Sequence, residues 1–255
     1  MQQLFKSATI LDPGRERGEA TRVVDILVDG TKIRRVADHI EALQDVVPFD
    51  ASRYLVTPGL VNAHGHLAMT LLRGFADEVP LETWLQTYMF PREARMNGDD
   101  VFFGTLLAVA EGVMSGTTTF ADMYFFEDDV ARAIEESGVR ANLSTGTASL
   151  NNELGKLHDA EEFVVRWNNK ADGRIKTSFG PHAPYTTTPD FIRANFERAR
   201  DLGVIVQFHL HETRKEITDF AEQHGATPIV YYADLGFLDE PPRLLADHCV
   251  HMTTR

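Results

Sequence analysis

One cysteine, Cys249, stands among 255 residues, so no disulfide can close within the chain and the sequence suits a reducing compartment. No uninterrupted apolar run approaches the ~18 residues of a membrane span. Met1 to Lys6 is not a basic stretch leading into an apolar core, which speaks against a secretory signal. Basic residues are in short supply: 25 Lys and Arg against 38 Asp and Glu leave a formal net charge of −13. Nucleic-acid affinity rests on neutralising phosphates with Lys and Arg, so no nucleic-acid partner is expected. Internal repeats, low-complexity tracts and long linkers are absent too. What remains, 43% hydrophobic and 25% charged, is the composition of an ordinary soluble globular protein. The expectation is a cytoplasmic protein that handles a small molecule and engages no membrane.

Residues 1–56 differ in character from the rest of the chain. Phe5 to Leu11 reads as a strand ended by the turn signal Asp12-Pro13-Gly14. Val23–Val28 and Lys32–Val36 flank Asp29-Gly30, a dipeptide suited to a tight hairpin. A short helical turn near Asp38–Leu43 is the one departure from β structure in this small unit. From Tyr54 the rhythm becomes strand, helix, strand. Helical spacing runs from Asp99 to Ser115, with Asp99 or Asp100 as N-cap and Gly116 as stop. Further strands are expected at Thr117–Met123, Val139–Thr145, Ile175–Phe179, Val204–Phe208 and Leu244–Val250. Helices between them include Asp128–Ser137, Glu153–Asn169 and one opened by Thr188-Pro189; Thr227-Pro228 starts another.

Strands alternating with helices imply a parallel sheet. A (β/α)8 barrel of the TIM type is the architecture expected, with a doubly wound open sheet as runner-up; the latter's glycine-rich phosphate fingerprint is missing after the first strand. Only about six βα units can be counted, and the chain stops at Arg255 directly after strand six. It therefore looks like an N-terminal fragment of a longer protein. The expected division is a small β-sandwich segment over 1–56 and a barrel over 57–255 that is incomplete at its C-terminus.

The stretch with most chemistry is Thr57-Pro58-Gly59-Leu60-Val61-Asn62-Ala63-His64-Gly65-His66. If the apolar strand Tyr54–Val61 continues, His64 and His66 lie at i and i+2 and face the same side. Neutral imidazole is a common ligand for zinc and related metals. At the end of strand five, His-Leu-His-Glu offers His209 or His211 as a further ligand; spacing alone does not choose between them. Three imidazoles on one rim would satisfy a catalytic zinc with an open position, and such an ion lowers the pKa of bound water from 15.7 to roughly 7. Glu212 could carry a proton between that water and the leaving group. As a bland alternative, it is a favourable charge at a helix start. His248, at the end of strand six, could orient the attacking hydroxide.

Pro-Gly-Leu-Val-Asn-Ala-His-Gly-His-Leu-Ala-Met-Thr-Leu-Leu-Arg-Gly (58–74), His-Leu-His-Glu-Thr (209–213) and Asp-His-Cys-Val-His (247–251) together resemble the amidohydrolase superfamily. More narrowly the chain resembles the branch holding 5-methylthioadenosine/S-adenosylhomocysteine deaminases and triazine chlorohydrolases. Phe90-Pro91-Arg92-Glu93, Phe120-Ala121-Asp122-Met123-Tyr124 and Phe179-Gly180-Pro181-His182-Ala183-Pro184-Tyr185 extend the likeness over essentially the whole chain. The resemblance implies one divalent metal, Zn2+ by family pattern, on His64, His66 and His209. It implies Glu212 as the proton shuttle and His248 as the group positioning the hydroxide. Glu93 would meet ribose hydroxyls and His182 the nucleoside. A metal-site aspartate on the eighth strand has no counterpart here.

The implied reaction is hydrolytic deamination of an adenine nucleoside with release of ammonia, by a hydrolase of carbon–nitrogen bonds other than peptide bonds. The substrate would be a 5′-modified adenosine such as 5-methylthioadenosine, or S-adenosylhomocysteine. Adenosylhomocysteine carries less weight, because Ser144-Thr145-Gly146-Thr147-Ala148-Ser149 offers no arginine for its carboxylate and Lys156 is the one cation nearby. Alternatives are a guanine-like base, a chloro- or amino-triazine, or a non-catalytic scaffold. A homo-oligomer is expected of the full-length protein.

Overall fold

The computed structural model of the chain describes residues 1–11, 20–41, 44–147, 153–238 and 244–252. The Asp12-Pro13-Gly14 turn lies outside them. Of the helical turn expected near Asp38–Leu43, residues 38–41 are described, and they are not helical. The chain divides into two units, Met1–Gly59 and Leu60–Arg255. In the first, β1 (Gln2–Leu11), β2 (Thr21–Asp29) and β3 (Lys32–Ala37) form an antiparallel meander. Gly30 at φ 59° makes the turn between β2 and β3, a conformation that costs glycine little. The two-residue strands β4 (Phe49–Asp50) and β5 (Leu55–Val56) pair parallel to β1, so the sheet is mixed. Ala8, Val24, Ile26 and Ala51 are its buried centre. Burial pushes the Asp25 carboxyl up, but donation from Lys6 Nζ, Ser7 N and Ile40 N outweighs it and holds the group at about 2.

The second unit is a six-stranded parallel sheet, ordered β11-β10-β9-β8-β7-β6. Its strands are β6 (Leu60–Asn62), β7 (Thr117–Tyr124), β8 (Arg140–Thr147), β9 (Ile175–Pro181), β10 (Ile205–Leu210) and β11 (Leu244–His248). Spatial order matches chain order without reversal. That is the winding of a barrel rather than of a doubly wound sheet, which turns back at a switch point. The sheet is a curled half-barrel with its helices alongside. The apolar run Tyr54–Val61 is not one strand: Thr57-Pro58-Gly59 break it into β5 of the first unit and β6 of the second. A proline cannot donate to a ladder, which is why the break falls there.

The helices that matter are α1 (Gly98–Met114), α2 (Glu127–Ser137), α3 (Glu153–Trp167), α4 (Pro189–Leu202), α5 (Arg214–His224) and α6 (Pro228–Asp234). Asn97, not Asp99 or Asp100, caps α1: its side chain accepts from Asp99 N and Asp100 N, while Asp100 accepts from Asn97 N. The expected aspartate thus supplies the reciprocal half of a capping box. Thr188 caps α4 as its Thr-Pro signature requires.

Strand β10 shows how the sheet is buried on both faces. Val206, Phe208 and Leu210 pack with Phe191, Phe196, Phe220 and Tyr232 of the helices, whereas Gln207 and His209 alternate to the other side. There Gln207 Nε2 donates to Ser178 Oγ at 2.8 Å and Asn142 Oδ1 at 2.9 Å, and Ser178 Oγ donates to Asn142 Oδ1 at 2.6 Å. A polar, hydrogen-bonded layer therefore sits inside the strands.

Helix α1 lies against a 3-10 turn, Leu67–Leu72, directly after His66. Thr70 Oγ1 donates to Gly104 O at 2.7 Å, and a Cβ on Gly104 would come within 2.6 Å of Ala68 O. The first atom it would meet is backbone, which cannot swing aside as the end of a side chain can. Gly104→Ala is expected to cost about 1–3 kcal/mol, the range for overpacking a close contact, as read by denaturant unfolding. An unchanged midpoint would mean the two segments are free to separate.

Candidate metal and catalytic site

His64-Gly65-His66 lies just past β6, not within it, so strand alternation does not aim these rings. Strand β7 does. Met123 N donates to Gly65 O at 3.2 Å, Leu67 N donates to Asp122 Oδ1 at 2.5 Å, and His66 Nδ1 lies 2.6 Å from Met123 O. The clamp brings the His64 ring 4.9 Å from that of His209 and 4.8 Å from that of His248, centroid to centroid, with His66 5.0 Å away. His66 and His209 are 5.3 Å apart, and His209 and His248 stack at 5.1 Å. The tightest set of ligand atoms belongs to His64, His209 and His248, all within 4.8 Å of one another; His66 stands beside it.

Of the two candidates left open on strand five, His209 joins this cluster and His211 does not. His211 has φ 55°, is buried, and accepts from Ile229 N at 3.2 Å. Left-handed backbone also appears at His248 (φ 68°) and Cys249 (φ 48°). His248 is in register with Leu210 of the outer face; the turn in the backbone breaks the alternation and lets its ring stack on His209.

The donor set suits a transition metal. Burial, reinforced by neighbouring imidazoles, lowers His66 to about 4 and His209 well below the usual histidine range, so both are neutral at pH 7. In each, Nδ1 is committed to a carbonyl, His66 to Met123 O and His209 to His182 O at 2.8 Å. A ring that donates from Nδ1 presents an unprotonated Nε2, the form that ligates metal.

A protein-family model described as "Amidohydrolase family" matches residues 55–255. The chain belongs to the amidohydrolase family. Over 253 residues this amidohydrolase is 40% identical to a protein of Carboxydothermus hydrogenoformans named 5-methylthioadenosine/S-adenosylhomocysteine deaminase, covering 98% of this chain and 57% of that one. It is equally similar, 40% over 253 residues, to a 5'-deoxyadenosine deaminase of Methanosarcina barkeri, covering 98% of this chain and 58% of the relative. Among solved structures, an adenosine deaminase from Xanthomonas campestris with bound zinc superimposes with a TM-score of 0.81 at 30% identity, over 98% of this chain and 58% of that one. The amidohydrolase chain thus spans less than two thirds of the length of these relatives.

Other groups surround the histidines. Glu212 Oε1 is 3.5 Å from His248 Nε2, and Glu212 Oε2 accepts from Tyr185 OH at 3.0 Å. Glu212 does not serve the start of α5. Thr213 caps that helix by accepting from Glu216 N at 3.1 Å, and the Glu216 carboxylate accepts from His211 N at 2.8 Å and Glu212 N at 2.9 Å. The favourable N-terminal charge is Glu216, which leaves the Glu212 carboxyl turned toward His248 and Tyr185. His182 Nδ1 is 2.8 Å from Thr186 Oγ1, and its ring is 4.7 Å from that of His209. Glu93 accepts from Tyr124 OH at 2.8 Å and is raised by burial; Tyr124 in turn lies 6.0 Å from the His66 ring.

Sequence reasoning passed over Tyr124, Tyr185 and Asp247. The tyrosines stand inside motifs that carry the family likeness. Asp247 opens another of those motifs, and as a charge placed between the apolar run Leu244-Leu245-Ala246 and a histidine it carried a local signal as well.

Proposed function

We propose that this chain carries the metal-binding half-barrel of a hydrolase that deaminates an adenine nucleoside, converting the ring amine to a carbonyl with water and releasing ammonia. The observation that carries this reading is the meeting of four imidazoles from three strand ends with a carboxyl, Glu212, that is not spent on capping. His64, His66 and His209 would hold one divalent ion, zinc as in the similar adenosine deaminase structure, and imidazole donors suit that ion. When bound, such an ion supplies Lewis acidity that makes water nucleophilic near neutral pH. Glu212 takes one proton from the attacking water and passes it to the ring nitrogen, then takes the second from the added hydroxyl as the carbonyl forms and delivers it to the departing amine, which leaves as ammonia. His248, whose Nε2 lies 3.5 Å from that carboxyl, orients the same water. Glu93 receives ribose hydroxyls and His182 contacts the nucleoside.

The names of both similar sequences describe adenosines that differ at the 5′ position, which supports a 5′-modified adenosine over a free base or a triazine. Tyr185 borders a cavity of about 770 Å³ whose lining joins the apolar Leu81, Leu85, Phe90 and Phe220 to the acidic Glu82, Glu216 and Asp219. Its lysine, Lys215, is paired with Asp219 at 2.6 Å. Such walls favour an uncharged 5′ group over the homocysteine carboxylate. Within this reading, residues 1–56 form the small β segment and 57–255 the barrel portion of a cytoplasmic enzyme, homo-oligomeric at full length.

An ammonia-release screen tests it, with 5-methylthioadenosine, 5'-deoxyadenosine, adenosine, S-adenosylhomocysteine, guanine and a chlorotriazine offered to zinc-loaded protein. Turnover should be fastest with the uncharged 5′-modified adenosines. Release from guanine alone, or chloride from the triazine, would assign the site to another heterocycle.

A further inference from the structure

The proposed function gives His64, His66 and His209 to a metal, and on that basis one of the three rings is held differently from the others. His66 and His209 each commit Nδ1 to a backbone carbonyl. His64 Nδ1 has no hydrogen-bond partner, and its nearest charged neighbour is Asp247 Oδ2 at 3.3 Å. Asp247 is 2% exposed. Both of its oxygens are buried and without a hydrogen-bond partner. Two groups, each expensive to leave unmatched in the interior, thus face each other within the reach of a small ring rotation.

The strand explains how the carboxylate arrives there. Parallel pairing sets Asp247 of β11 opposite His209 of β10, so both face the polar inside of the sheet. Asp247 Oδ2 faces a ring nitrogen that lacks a hydrogen-bond partner, His64 Nδ1 at 3.3 Å, which suits it to hold that ring rather than to ligate. We infer that Asp247 is a positioning residue for the metal centre: its carboxylate accepts the His64 Nδ1 proton, fixing the tautomer and aim of the ring so that Nε2 is the free donor. It would do for His64 what the Met123 and His182 carbonyls do for the other two rings, with a full charge that makes the imidazole a stronger donor.

Two measurements test this, and neither needs turnover. In 15N-histidine spectra of the metal-free wild-type protein, His64 should be the neutral form protonated at Nδ1; an Nε2-protonated His64 would overturn the inference whatever any variant does. In competition with a chromophoric chelator, Asp247→Ala should bind Zn2+ about 10–100-fold more weakly than wild type, the usual effect of removing such a partner. Asp247→Asn keeps shape and an acceptor but loses the charge, and should fall between the two. Circular dichroism and thermal melting confirm that each variant is folded, and Asp247→Asn stands in if Asp247→Ala is not. Equal zinc affinity in wild type and Asp247→Asn, with an unchanged His64 signal, would show that Asp247 merely fills space. If wild-type protein bound no zinc, the metal assignment would fail by itself, and the His64 spectrum would still decide whether the pair exists.

Discussion

His64→Ala and His66→Ala should each strip the divalent ion from the protein and bring ammonia release down to background. Wild-type protein is expected to hold about one ion per chain on three nitrogens with an open position. With one nitrogen gone, two ligands remain, and the pre-set tautomers of the others cannot make up the loss. His211→Ala is the control: that ring is buried and accepts from Ile229 N, so its removal should lower stability and leave metal content alone. The same series separates two ligand sets. Ion loss in His66→Ala with retention in His248→Ala supports His64, His66 and His209. The reverse result supports the closer trio His64, His209 and His248. Metal analysis after gel filtration and a coupled ammonia assay read both properties. Full activity after exhaustive chelation would remove metal from the mechanism altogether.

How much of this was legible in the sequence depends on what sets each feature. Alternation of strand and helix is written in local periodicity, so the parallel architecture could be read directly. The N-caps of α4 and α6 were equally plain in Thr188-Pro189 and Thr227-Pro228. Asn97 was missed because Asp99 and Asp100 are also good capping residues, and only backbone geometry decides among neighbours. The strand break at Thr57-Pro58-Gly59 was visible as proline, yet apolar neighbours on both sides masked it. His209 could not be told from His211 by spacing, because the choice is made by left-handed backbone at His211 and by contacts with Ile229 and His251. Asp247 was hidden for a related reason. Its role comes from the register of β11 on β10 and from His64, a residue 183 positions earlier in the chain.

Glu212→Gln should lower kcat by about 10²–10⁴-fold, the usual contribution of general acid–base catalysis, while metal content hardly changes. Glu212 sits two residues past the end of β10, three beyond His209, which lets its carboxyl reach across to His248 without being a ligand. Deamination at the adenine carbon needs a proton on the ring nitrogen as water adds, and another for departing ammonia. Glutamine keeps the size of the side chain and can still accept from Tyr185 OH, but it cannot take up a proton and return it. The competing view gives Glu212 only a helix-start charge, worth about 0.3–1 kcal/mol. Glu216 already fills that place, accepting from two backbone amides on the turn that opens α5. Glu216→Gln is therefore the matched comparison, and it should cost stability with a much smaller effect on kcat. Steady-state kinetics, zinc content and thermal melting of the two purified variants distinguish the roles. Near-normal kcat with a lowered melting temperature in Glu212→Gln would return this residue to the helix start and require another proton carrier, for which Tyr185, 3.0 Å from the Glu212 carboxyl, would be the first to examine.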